Sequence, residues 1–247
     1  MTDLLPARLF APLALTAIAA LGLLLWVLRN GDLCPGQRRR ISDGLLSAWA
    51  VFGLALMLGV EAAVPTLLLW LGGAALVAGL GAVLYQARLQ GKRSLPLSWH
   101  TPALGLAGLY GLWIMFMMGP AALLAAGAGG CVFAHLIMVR AKHRLQAFNT
   151  LLPLAGIASA IGWLLALLVQ TLLAESSAQA AQPDMSHLIV PFAQMSAAIL
   201  LGAIIWLLPL LRKEQTRPPV IAVAALLILG ALTTGQGIIW QLSVNIG

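Results

Sequence analysis

Charged side chains are scarce in this chain of 247 residues. The sequence has 7 acidic and 14 basic residues, which together make up 9% of it, whereas 61% of the residues are hydrophobic. In an ordinary soluble domain about a quarter of the residues are charged, so this composition excludes a water-soluble fold. The apolar residues form runs of about 20, the length that a helix needs to cross a bilayer. The sequence therefore predicts a polytopic membrane protein.

Motifs of catalysis in water are also lacking. The sequence contains no glycine-rich loop with a Walker lysine, no HExxH, no GxSxG and no CxxC. Nucleotide hydrolysis, zinc proteolysis, serine hydrolysis and thiol redox chemistry therefore have no support. No polar stretch is long enough to separate a soluble domain, so we expect residues 1–247 to form a single integral membrane domain. Any chemistry in water would then belong to a partner.

Eight apolar runs divide the chain between polar breaks. Each run is apolar on all sides, and none shows the strict alternation of a barrel strand. The sequence therefore predicts an all-α bundle of eight transmembrane helices. The predicted spans are 9–28, 45–62, 66–87, 102–119, 121–139, 150–173, 188–211 and 220–243.

The basic residues orient this bundle. All but one of the 14 lie in the connections after the first, third, fifth and seventh spans. Because connections rich in Lys and Arg stay in the cytoplasm, we expect both termini on the outer, periplasmic side of a bacterial inner membrane. The leader carries Asp3 and Arg8, whose charges cancel, and the first run is longer than that of a usual signal peptide. We therefore expect a retained first helix in a multi-pass protein.

The net charge of +7 needs no nucleic-acid partner. Basic loops beside anionic lipid headgroups account for a charge of this size in a membrane protein. Membrane lipid is therefore a predicted partner and nucleic acid is not.

Histidines are candidate haem ligands, because a membrane haem is usually held by two of them on facing helices. Among the four histidines, His100 and His135 form the one possible inner-side pair. An interfacial histidine more often serves as a hydrogen-bonded anchor. We therefore expect no haem, no metal site and no covalently bound cofactor.

Glu61 is the one carboxylate in "LMLGVEAAVPTLLLW", and it falls at the outer end of the second span beside Pro65. One interpretation is a solvated turn carboxylate at the membrane surface. The other is a proton acceptor for a lipid-soluble substrate that enters between helices near that face.

Several segments resemble a known family in their order along the chain. They are the first connection "LLWVLRNGDL", "FNTLLPLAGIASAIGWLLALLVQTLLA", the outer loop "AAQPDMSHL", "AILLGAIIWLLPLLRK" and the closing "ILGALTTGQGIIWQL". Together with eight spans, they resemble the membrane-anchor subunit of dimethyl sulfoxide reductase, the DmsC family. This family is related more distantly to the NrfD-type quinol-oxidising subunits.

The resemblance implies an anchor without a cofactor of its own in an anaerobic respiratory complex. Such an anchor holds an iron–sulfur electron-transfer subunit and a molybdopterin catalytic subunit on the membrane. It oxidises menaquinol in a pocket near the iron–sulfur protein. Glu61 would then be the proton acceptor, and His187, Gln236 and Trp240 would be the outer-side contacts of the quinol.

Two stretches depart from the family pattern. "MLGVEAAVP" lacks the histidine that commonly precedes a Leu-Gly-x-Pro element at the outer end of the second helix. "LTTGQG" has Leu232 and Gln236 where the family often has Glu and Arg flanking a glycine. Both changes remove ionisable groups that would assist quinol deprotonation.

Two alternatives stay open. A purely structural anchor or assembly subunit would bind partner proteins without binding quinol. A small transporter would have broken helices and buried charges at mid-membrane depth. No Lys, Arg, Asp or Glu lies in the middle of a span, and no internal repeat relates spans 1–4 to spans 5–8 in the sequence.

Overall fold

Eight long helices build the protein in the computed structural model, which describes residues 4–91, 93–142, 146–177 and 186–246. Each helix contains a stretch that is long and apolar enough to cross a membrane. The predicted all-α bundle of eight spans is therefore confirmed. The helices are α1 (Leu4–Asn30), α2 (Pro35–Glu61), α3 (Thr66–Arg88), α4 (Thr101–Met118), α5 (Ala121–Arg140), α6 (Gln146–Ser177), α7 (Ser186–Leu211) and α8 (Pro218–Ile246).

The two ends of the bundle differ in charge. Because the chain crosses eight times, α1 begins and α8 finishes at the same end, which we call the terminal end. At the other end α1, α3, α5 and α7 finish, and we call it the basic end. Arg29, Arg88 and Arg140 lie in the last turns of α1, α3 and α5, and Arg212 directly follows α7.

The helix α2 begins at Pro35 rather than at the predicted residue 45. A proline suits the first turn of a helix, where its missing N–H has no partner to lose. Further along, Arg39 Nη1 donates to the carbonyl oxygens of Leu89 at 2.7 Å and Gly91 at 2.5 Å. The polar start of α2 therefore continues the helix beyond the membrane and holds the chain that leaves α3.

The helices α1 and α5 form the centre of the bundle. In each of them 67% of the most apolar stretch is buried, against 22 to 39% in the other six. Glycines allow their close approach, since a Cβ on Gly130 would collide with the Cβ of Ala19. A Cβ on Gly129 would collide with Thr16 Oγ1 in the same way. Small residues are what lets membrane helices pack backbone to backbone.

The packing divides the bundle into two similar halves. The helix α1 packs on α2 as α5 packs on α6, and α3 packs on α4 as α7 packs on α8. Across the centre, α1 contacts α8 as α5 contacts α4. Most helix contacts thus recur between the helices four places later, which cross in the same direction. This resembles a parallel repeat, although the sequence shows no repeat.

The turn after α2 has an alanine in a backbone conformation that favours glycine. Ala63 has φ +55°, while its N–H donates to the Val60 carbonyl and the Val64 N–H donates to the Gly59 carbonyl. Glycine usually occupies this position in a helix-ending motif. We expect Ala63→Gly to raise the free energy of unfolding by about 0.5–1 kcal/mol, seen as a higher melting midpoint in mild detergent.

The matched control is the neighbouring Ala62→Gly. Ala62 has φ −79°, so glycine relieves no strain there and only adds flexibility to the unfolded chain. We expect the control to leave the midpoint unchanged or lower it. A midpoint that falls equally in both variants would show that Ala63 is not strained.

Candidate functional site

Arg8 is a basic residue that lies away from the basic end. It occupies the first turns of α1 at the terminal end, where α1 packs against α8. Its guanidinium lies across Gly237 of α8, because a Cβ on that glycine would stand 3.1 Å from Arg8 Nε and 3.3 Å from Cζ. Because Gly237 has no side chain, the guanidinium of Arg8 can lie against the backbone of α8.

Three buried polar atoms, one on Arg8 and two on residues close to Gly237 along α8, have no hydrogen-bond partner among the residues that the structure describes. They are Arg8 Nε, Gln236 Oε1 and Gln241 Oε1. Gln236 precedes Gly237, and Gln241 follows it by about one helical turn. We call Arg8, Gln236, Gly237 and Gln241 the polar cluster.

The polar cluster combines a cationic donor with two amide acceptors in apolar surroundings. Gln236 is only 7% exposed, and leaving a buried polar group without a partner costs about 1–3 kcal/mol. Such groups can be satisfied by a ligand or by an ordered water. The arrangement suits a molecule with oxygen atoms that can both accept and donate hydrogen bonds.

Trp240 lies beside the polar cluster on the outer surface of α8. It follows Gln236 by four residues and therefore shares a helix face with it, and its side chain is 43% exposed. A partly exposed tryptophan near a helix end is typical of the membrane surface. The structure thus brings together Gln236 and Trp240, two of the predicted contact residues.

The other two predicted residues do not join this group among the described side chains. Glu61 is the last residue of α2 and is exposed. Since α1 packs against both α2 and α8, it separates Glu61 from the α8 residues of the polar cluster. His187 belongs to the first turn of α7, but its side chain lies outside the described residues.

Arg8 and Gln241 were missed by the sequence analysis. Arg8 could have been singled out from the sequence, because it is the single basic residue outside the four basic connections. The positive-inside rule predicts few cations on this side of the membrane, so Arg8 is unusual there. Gln241 had a weaker signal, as one amide near the end of an apolar helix.

His135 is held by two hydrogen bonds inside the bundle. Trp206 Nε1 donates to His135 Nδ1 at 2.8 Å, and His135 Nε2 lies 3.3 Å from Asn149 Oδ1. Because the indole can only donate, Nδ1 is the acceptor and Nε2 carries the proton that faces the amide oxygen. A haem iron could bind His135 only by displacing one of these bonds, so the donor set does not fit haem.

His100 lies at the start of α4 near the basic end, with 2% of its surface exposed. Neither of its ring nitrogens has a hydrogen-bond partner in the described part of the chain. Burial lowers the pKa of His100 from its usual value, because it penalises the charged form. Within the described residues, no three His, Cys, Asp or Glu side chains form a group that could hold a metal.

The comparison with known proteins agrees with this architecture. A family model described as an integral membrane domain matches residues 4–242. The match takes in α1 to α7, α8 as far as residue 242, and the polar cluster. No curated protein and no solved structure matches the chain.

Proposed function

We propose a function for this chain, which belongs to the family of integral membrane domains that matches it. In our proposal it is the membrane-anchor subunit of a molybdopterin and iron–sulfur oxidoreductase of the dimethyl sulfoxide reductase type. It binds menaquinol and passes electrons to a partner iron–sulfur subunit in the bacterial inner membrane. The distribution of Lys and Arg supports an orientation with the basic end in the cytoplasm and the terminal end in the periplasm.

The polar cluster is the observation that carries this proposal. A quinol head is flat and aromatic, with two hydroxyl groups that become carbonyls on oxidation. Arg8 Nε can donate to a ring oxygen in either state, whereas Gln236 Oε1 can accept a hydrogen bond only from a hydroxyl. Trp240 is partly exposed, and its ring can offer a flat surface to a quinol head that arrives from the lipid.

The charge of Arg8 suits the chemistry of quinol oxidation. Each quinol that becomes a quinone releases two protons and two electrons, and the electrons go to the iron–sulfur cluster of the partner subunit. A guanidinium beside the ring oxygen favours its deprotonated form, which carries negative charge. The protons leave at the terminal end, where the exposed Glu61 can accept them through the surrounding water.

Purification of the protein from its native membranes in mild detergent tests the proposed role. We expect an iron–sulfur protein and a molybdenum-containing subunit to purify with the chain, and the sample to oxidise a naphthoquinol. The visible spectrum of the same sample should show no haem Soret band. A chain that purifies alone would contradict the anchor role and favour a transporter.

A purely structural anchor is the second candidate. The absence of the family histidine from "MLGVEAAVP" favours it, since that change removes an ionisable group from the quinol-oxidising end. Such an anchor would purify with the same two partner subunits. The sample would then show no naphthoquinol turnover, which separates the two candidates.

Glu61→Gln tests the proposed proton acceptor. We expect naphthoquinol turnover to fall about two- to tenfold, with the complex intact, because an exposed carboxylate shares its role with water. The matched control is Glu214→Gln, another exposed glutamate after a helix end, at the basic end. Equal turnover in Glu61→Gln and the unaltered protein would remove Glu61 from the mechanism.

A further inference from the structure

A cavity of about 300 Å³ opens at the basic end between α2 and α5. This volume is at the lower limit of typical ligand sites, which range from about 300 to 1,000 Å³. The helix α2 can approach α5 here because a Cβ on Gly44 would lie only 2.5 Å from Ile137 Cγ2. The residues that line the cavity are Arg40, Asp43, Gly44, Ser47, Ile137, Arg140 and Ala141.

The lining of the cavity holds two arginines and one aspartate. Its carboxylate, Asp43, pairs with Arg39, whose Nε lies 3.8 Å from Asp43 Oδ2. Arg40 and Arg140 make no ion pair within the part of the chain that the structure describes. Arg40 and Arg140, which come from different helices, therefore line one space together with Ser47 and Asp43.

The cavity continues into a lipid-facing stripe on α2. Ser47, Ala50, Leu54 and Met57 follow Asp43 at spacings of three or four residues, so they share one helix face. Leu54 is 49% exposed and Met57 is 70% exposed. The basic cavity thus lies at the level where the polar start of α2 gives way to its apolar surface.

We propose that this cavity binds the phosphate group of an anionic phospholipid. Guanidinium groups bind phosphate oxygens through paired hydrogen bonds, and basic pockets between membrane helices bind lipid headgroups in this way. The acyl chains would lie along the apolar stripe of α2. Soluble phosphate can accept the same hydrogen bonds, but it has no acyl chains that would contact the apolar stripe. This site is independent of the polar cluster, which lies at the other end of the bundle.

Native mass spectrometry of the full chain in mild detergent can measure this binding. The chain is titrated with phosphatidylglycerol, with phosphatidylcholine and with phosphatidylglycerol in the presence of inorganic phosphate. The test variant is Arg40→Gln with Arg140→Gln. The control is Arg88→Gln with Arg212→Gln, which removes two exposed charges from the same end but none from the cavity.

We expect the test variant to bind phosphatidylglycerol about tenfold more weakly than the control variant. Inorganic phosphate should displace none of the lipid from the unaltered chain. Equal affinity of the two variants for phosphatidylglycerol would overturn the proposal, as would displacement of the lipid by inorganic phosphate. Binding of a polyglutamate peptide to the same arginines in place of lipid would also overturn it, since it would assign the cavity to an acidic protein.

Should the test variant fail to fold, Ser47→Leu keeps both arginines and narrows the cavity. We expect it to weaken binding of phosphatidylglycerol while the charge of the basic end stays the same. Unchanged binding by a folded Ser47→Leu chain would overturn the proposal.

Discussion

Replacing Arg8 with glutamine should lower naphthoquinol oxidation by about 10- to 100-fold while the complex stays assembled. A hydrogen bond to a charged group contributes about 1.5–3 kcal/mol, and this one would also favour the charged form of the ring oxygen. Glutamine is shorter than arginine and cannot reach across Gly237 in the same way. Turnover of the purified complex, measured with a naphthoquinol as electron donor, checks this expectation.

Two further variants separate the site from a general effect of charge. Arg29→Gln removes an exposed arginine from the other end of the same helix, and we expect it to leave turnover unchanged. Arg8→Lys keeps the charge but not the fixed Nε–H, so we expect an intermediate turnover. Equal turnover in Arg8→Gln and Arg29→Gln would remove Arg8 from the proposed site.

Replacing Gly130 with leucine should destabilise the bundle by about 3 kcal/mol or more. The added side chain would meet Ala19 and the backbone of α1 at the tightest part of the centre. The helices α1 and α5 would have to separate, and every helix that packs on them would lose contact. The melting midpoint of the purified protein in mild detergent measures this loss.

Gly81→Leu is the matched control for the leucine at Gly130. No atom lies within 4 Å of a Cβ at Gly81, which is an exposed position in the membrane-spanning part of α3. A leucine there meets lipid and improves helix propensity. A midpoint for Gly130→Leu as high as that for Gly81→Leu would contradict the close packing of α1 on α5.

The eight helices could be predicted from the sequence because each must satisfy its own backbone in lipid. Runs of apolar residues and the breaks between them are therefore enough to locate the spans. The start of α2 at Pro35 escaped prediction, because residues beyond the membrane no longer need to be apolar. The bonds from Arg39 to Leu89 and Gly91 hold that extension and are not visible in the sequence.

The polar cluster could be predicted only in part. Gln236 and Trp240 share a face of one helix, and spacing along the chain reveals such pairs. Arg8 lies on the first helix, and only the packing of α1 on α8 places it across Gly237. The similarity of the two halves could not be predicted from the sequence either, because many different apolar sequences can form the same helix contacts.

Photolabelling tests the proposed quinol site most directly. The intact complex is irradiated with a photoreactive naphthoquinone, and the labelled peptides are identified by mass spectrometry. We predict saturable labelling of α1 and α8 near Arg8 and Gln236, which unlabelled naphthoquinol prevents and Arg8→Gln weakens. Saturable labelling confined to other helices, or none on this chain, would contradict the assignment of the polar cluster as a quinol site.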